Sequence, residues 1–319
     1  MDTSGVTDGG TESASPLPRG ILRARRPTGA VVGILVVLGC FVLGQIVSAV
    51  AFAVAVVLTG DLSVLSSMRI GLAAQVALTG GFLGATLGLV LWLPLKEGRP
   101  FGSIGFLPAR RPVRAVALGA VAALLAISLL VLGNVGAGQL VIGGSGAGYA
   151  IVGVLVLTLL GFVVQASTEE ILTRGYLMQV TWRKWGITAA LVSQAVVFTL
   201  LHGLNTGFGP LPLLNLVLIS FVLAFWALAE GGLWGVCAFH AVWNWCQGNV
   251  YGAEVSGMNL TATLADTRPA EDGSALLNGG AFGIEGGLPT TVVLAGMLLI
   301  AVLAYRRRRS SFAAEPAQS

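Results

Sequence analysis

Residues 149–174 read YAIVGVLVLTLLGFVVQASTEEILTR, and the class of the fold turns on this stretch. From Tyr149 to Thr168 no side chain is charged, and then Glu169, Glu170 and Arg174 follow at once. A helix needs about 20 apolar residues to cross a hydrocarbon core, so this run is long enough to span a membrane and carries its acids at one end. Comparable runs occupy 29–58, 70–93, 115–134, 186–202, 211–229, 232–249 and 288–305. The alternating pattern of a membrane barrel is absent. The sequence therefore predicts an all-α, polytopic membrane protein of about eight transmembrane helices.

Composition agrees. Of 319 residues, 55% are hydrophobic and 10% charged, with a mean hydropathy of +0.87. Soluble domains carry roughly 25% charged residues, which excludes a water-soluble globule. The net charge of +4 and a pI near 9.3 do not call for nucleic acid, because basic residues flanking spans serve orientation. No nucleic-acid partner is expected. Cys40, Cys237 and Cys246 lie in apolar runs without zinc-type spacing and read as small apolar residues. Val37-Leu38-Gly39-Cys40 has the look of a lipoprotein cleavage box, but the apolar run continues past it as a span would.

Residues 1–28 are rich in Gly, Ser, Pro and Thr and contain Arg19, Arg23, Arg25 and Arg26, and read as a disordered basic cytoplasmic tail. The membrane domain is expected over 29–305, with a second basic tail over 306–319. Lys96, Arg99, Arg110, Arg111 and Arg114 mark one inner loop, Arg183 and Lys184 an inner turn, and Arg306 to Arg309 an inner end; Arg69 and Arg268 are left for the outside. This asymmetry predicts a multi-pass protein of the cell membrane with both termini cytoplasmic. Residues 250–287, with Glu254, Asp266, Glu271, Asp272 and Glu285, read as an irregular outer loop. No internal repeat of the transporter kind is visible.

Ionisable residues at membrane depth are costly and usually functional. Three groups stand out. Glu170 and Arg174 are four apart with the acid first, the favourable order for a helical ion pair, while Glu169 points about 100° away. One carboxylate is thereby neutralised and the other left free. Phe198 and His202 share a helix face one turn apart, as do His240 and Asn244. Each group alone has an ordinary explanation: an interfacial salt bridge, a hydrogen-bonded interfacial histidine, a polar helix contact. Together they place the chain's only two histidines beside an acid pair on separate helices. If the chain reverses near Arg183 to Trp185, Glu169 and His202 are nearly level.

Glu-Glu-x-x-x-Arg, Phe-x-x-x-His and His-x-x-x-Asn, in this order on separate spans, resemble the signature of the CPBP (ABI) family. It groups type II CAAX prenyl endopeptidases with bacteriocin-processing and immunity-type proteins, and the motif core is about 150–250. The resemblance implies an intramembrane metalloendopeptidase acting on a membrane-associated protein or peptide in the bilayer. It implies that Glu169 activates water with His202 beside it, that His240 and Asn244 hold the oxyanion, and that Glu170, Arg174 and Phe198 support them. Glu169, His202 and His240 would also suit a zinc ion with water as fourth ligand. Two other readings stand beside this one: a proton- or cation-coupled transporter, and a non-catalytic membrane scaffold or immunity protein.

Overall fold

The computed structural model describes residues 17–59, 69–107, 111–145, 148 and 150–314. Eight long helices dominate: α1 (Ala30–Thr59), α2 (Leu72–Trp92), α3 (Pro112–Gly136), α4 (Ile151–Glu170), α5 (Met178–Leu201), α6 (Pro210–Glu230), α7 (Trp234–Trp245) and α8 (Leu288–Ala314). They match the eight apolar segments in number and order. Six helical stretches are long and apolar enough to cross a membrane among the described residues. One of them, 151–201, fuses two expected segments, and α7 is too short to count.

The distribution of polarity is that of a membrane protein. Leu125 and Leu129 in α3 are each 64% exposed, whereas Glu170 and Arg174 are fully buried. Apolar side chains face outward and polar ones inward, an arrangement that is stable only where the surrounding solvent is itself apolar. The protein is thus a polytopic helical membrane protein.

The expected end of the fourth segment at residue 170 moves. Helical geometry runs on through a π-helical stretch, Ile171–Leu177, into α5. From Ile151 to the break at Gly186 this continuous stretch is roughly 50 Å long at 1.5 Å per residue, against a hydrocarbon core of about 30 Å. The polar residues that suggested a span end are instead paired inside the bundle: the Thr181 hydroxyl donates to the Leu177 carbonyl at 2.7 Å, and Gln179 Nε2 to the Ser103 carbonyl at 3.0 Å. Reversal comes at Gly186, whose φ of 83° is left-handed and suits glycine. Beyond it the chain doubles back, so that Ser193 Oγ donates to Thr181 Oγ1 at 3.1 Å although they are twelve residues apart.

Residues 1–16 of the expected N-terminal tail lie outside the described residues. Residues 17–28 differ from the expectation of disorder. They hold a 3-10 turn, Arg19–Arg23, and bury Leu17 and Ile21 in the core cluster. The amides of Arg25 and Thr28 are tied to Glu97, through its carbonyl at 2.8 Å and its carboxylate at 3.3 Å. Average composition hid this because two apolar side chains suffice to dock a short segment. Arg99, counted above as an orientation signal, is 1% exposed; its Nε donates to Glu97 Oε2 and its Nη1 to Gln179 Oε1, each at 2.5 Å.

Residues 250–287 are more ordered than an irregular loop. β1 (Arg69–Ile70) pairs in parallel with β3 (Asn259–Leu260), and β2 (Leu140–Gly144) pairs antiparallel with β4 (Ala265–Pro269), Leu140 opposite Pro269. The segment becomes a cap tied to connections between helices.

The main helix pairs are α1 with α2, α3 with α7, α8 with α6, and α4 with both α2 and α7. Glycine allows the close approach of α3 to α7. A Cβ on Gly119 of α3 would lie 2.2 Å from the carbonyl oxygen of Gly235 and 3.0 Å from the Phe239 amide of α7. Gly119→Ala therefore has to part α3 from α7, at an expected cost of about 1–3 kcal/mol for overpacking. A lowered unfolding temperature of the detergent-purified protein checks this; an unchanged one removes the close approach from the account.

Candidate active site

α4 delivers Glu169 and Glu170 at its last turn, immediately before the backbone widens into the π-helical stretch. Such widenings occur often at functional sites. Here it keeps Thr173 and Arg174 inside the bundle, with the Thr173 hydroxyl donating to the Glu169 carbonyl at 2.5 Å.

Glu170 is the fully buried acid, with both of its partners on one oxygen, Oε1, and none on Oε2. Its Oε1 accepts Arg174 Nη1 at 3.0 Å and lies 2.9 Å from His240 Nδ1. A carboxylate only accepts, so Nδ1 carries the hydrogen and Nε2 is the free face of the imidazole. Arg174 is held further by Thr173 Oγ1 at 3.0 Å and the Ser220 carbonyl at 3.4 Å, and its guanidinium stacks 4.4 Å from the centre of the Phe198 ring. Gln194 Nε2 donates to the same Ser220 carbonyl at 3.3 Å.

Phe198 joins the two histidines. Its ring centre is 4.6 Å from that of His202 and 6.2 Å, edge to face, from that of His240. His202 sits just past the end of α5, and its Nδ1 donates to the Phe198 carbonyl at 2.8 Å, so the hydrogen of this contact is on Nδ1.

Glu169 is 8% exposed and treats its two oxygens differently. Oε1 accepts from Gln165 Nε2, while Oε2 has no hydrogen-bond partner and lies 3.8 Å from His240 Nε2. Gln165 in turn accepts from Asn244 Nδ2 at 3.2 Å. Glu169, Glu170, Arg174, Phe198, His240 and Asn244 thus form one connected cluster, and His202 joins it through Phe198. The resemblance put His202 beside Glu169 and His240 with Asn244; in the structure His240 faces both acids.

Glu169, His202, His240 and Asn244 line a cavity of about 360 Å³. Phe82, Phe162 and Leu201 supply apolar wall, and Glu285 and Ser256 bring the cap to it. Glu285 was missed in the sequence. Its carboxylate accepts Trp243 Nε1 at 3.1 Å and the Ser256 amide and hydroxyl at 2.8 Å each, fastening the cap to α7 one residue from Asn244. No local signal could reveal it, because its partners are 42 and 29 residues away. Gln165 was also passed over, although it lies one turn before Glu169 and the spacing makes it legible.

The zinc shell expected of Glu169, His202 and His240 fits poorly. Among the described residues no three His, Cys, Asp or Glu side chains converge as a metal-binding set. Glu169 and His240 approach each other; His202 does not complete the triad.

Residues 151–246 match the family model described as Type II CAAX prenyl endopeptidase Rce1-like. The matched segment contains every motif residue from Glu169 to Asn244. No curated protein and no solved structure matches the chain.

Proposed function

We propose, from the match of residues 151–246 to the Rce1-like model of type II CAAX prenyl endopeptidases, that the chain hydrolyses a peptide bond of a membrane-associated, CAAX-type substrate with Glu169 as the base. The observation that carries this assignment is the asymmetry of the two acids. Glu170 is fully buried with Arg174 and His240 on its Oε1 and does not line the cavity, whereas Glu169 is 8% exposed and lines it.

In this mechanism Glu169 takes a proton from a water molecule as the water oxygen attacks the scissile carbonyl carbon. His202 flanks this water. The carbonyl oxygen gathers negative charge and is held by the Asn244 amide and by His240, which as an imidazolium donates from both nitrogens. The carbon–nitrogen bond then breaks, and Glu169 passes its proton to the departing nitrogen. No step is routed through a metal ion. The basic residues at Arg306 to Arg309 and in the 94–114 connection support a cell-membrane orientation with both termini cytoplasmic.

The test uses the purified full chain in phospholipid vesicles, a quenched farnesylated CAAX peptide, and water enriched in oxygen-18. The expected product is the fragment ending at the prenylated cysteine with one heavy oxygen in its new carboxylate, formed at an undiminished rate after exhaustive metal removal. Loss of cleavage on chelation with recovery on adding zinc overturns the metal-free step. Proton flux with no product from any peptide favours the transporter instead.

A further inference from the structure

Gln165 lies on α4 one turn before Glu169, half-buried, and lines the same cavity. It makes two side-chain contacts with opposite polarity: Nε2 donates to Glu169 Oε1, and Oε1 accepts from Asn244 Nδ2. Amide nitrogen and oxygen are told apart by their partners, and here the chemistry leaves a single choice. An ionised carboxylate has no hydrogen to give, so Gln165 must turn its NH2 to Glu169. Its oxygen then faces α7, and Asn244 must answer with an N–H. The direction of the whole chain follows from the charge on Glu169.

We infer that Gln165 is the positioning residue of this site: it fixes the rotamer of the base through Oε1, so that Oε2 is turned to His240 Nε2, and it orients the Asn244 amide with its NH2 inward. This rests on the proposed roles of Glu169 and Asn244. One side chain thereby sets both halves of the reaction, the water side on α4 and the oxyanion side on α7. The second N–H of Asn244 is the one available to a substrate oxygen. Without Gln165 the Asn244 amide is free to flip and show its carbonyl to a developing negative charge.

This role differs from simple packing between α4 and α7, which Leu155 and Trp245 also provide through a 3.0 Å hydrogen bond from the indole to the carbonyl. A packing residue tolerates an uncharged side chain of the same volume. A directional one does not, and it is hurt as much by a group that can only accept.

The experiment compares Gln165→Met, Gln165→Glu, Asn244→Ala and the double variant Gln165→Met with Asn244→Ala, all as full chains in vesicles with the farnesylated peptide. Gln165→Met is expected to lower kcat about 10- to 100-fold, the scale of a misplaced reacting group, with KM within about twofold. Gln165→Glu, which keeps the volume and cannot donate when ionised, is expected to fall at least as far. The double variant should lose less than the product of the two single losses, because part of the role of Gln165 is carried through the Asn244 amide. Wild-type kcat in Gln165→Met or in Gln165→Glu overturns the assignment, as does a multiplicative loss in the double variant. If Gln165→Met does not insert, Gln165→Glu decides the question by the same criterion. Glu169→Gln in parallel separates the two levels: full cleavage there overturns the proposed base, whereas a dead Glu169→Gln beside a fully active Gln165→Met overturns the positioning role alone.

Discussion

Glu169→Gln is expected to lower kcat for peptide cleavage by about 10²–10⁴-fold, the range for losing a positioned general base, with little change in KM or in unfolding temperature. Glutamine keeps the length and planarity of the side chain, and its carbonyl can still accept from Gln165. The site therefore retains its shape and loses only the ability to take a proton. The matching change at the neighbouring acid separates the two roles. Glu170→Gln leaves Glu169 chemically intact and disturbs the anchor of Arg174 and His240, so it should show in stability as well as in rate. Steady-state kinetics on vesicle-reconstituted protein, read against melting curves in detergent, distinguishes them. Wild-type cleavage by Glu169→Gln would falsify the assignment of the base.

Arg174→Met is expected to produce the largest loss of stability among single substitutions in the cluster. Arg174 and Glu170 are both fully buried, 3.0 Å apart, and breaking such a pair by removing one partner costs about 3–5 kcal/mol because the remaining charge is left in a medium that solvates it poorly. That is a large part of an ordinary folding free energy of about 5–15 kcal/mol. The same substitution removes the cation from the face of Phe198, the ring against which both histidines pack. Lysine is not a mild replacement, since a single ammonium cannot reach Glu170, Thr173 and the Ser220 carbonyl and also stack on the ring. The double variant Glu170→Gln with Arg174→Met should recover part of the lost unfolding temperature, since it leaves no lone buried carboxylate at that position. Equal melting of Arg174→Met and wild type removes the pair from the stability account.

How far each part of this arrangement could be read in advance depends on the distance over which it is encoded. Glu170 with Arg174, and Glu169 with Gln165, are each one turn apart on one helix, where 3.6 residues per turn makes them neighbours whatever the surroundings. The contact of Glu170 with His240 spans 70 positions and depends on how α4 meets α7. Nothing local announces it, because these helices are apolar on nearly every face and carry no stripe to indicate which side turns inward. The same lack of contrast hid the continuation of α4 past Glu170, where buried polar residues paired with one another. Counting charges misplaced Arg99 for a related reason, since burial is invisible to a count.

By itself, then, the sequence determined the membrane class, the number and order of the long helices, and the pairing of Arg174 with Glu170, all of which follow from composition and helical period. Only the tertiary structure decided that Glu170 Oε1 serves both Arg174 and His240, that Gln165 links Glu169 to Asn244, and that the other oxygen of Glu169 lies beside His240 Nε2. The physical reason is that a helix places its own neighbours through its backbone, whereas contacts between helices are settled by close packing and by the need of each buried polar group for a partner.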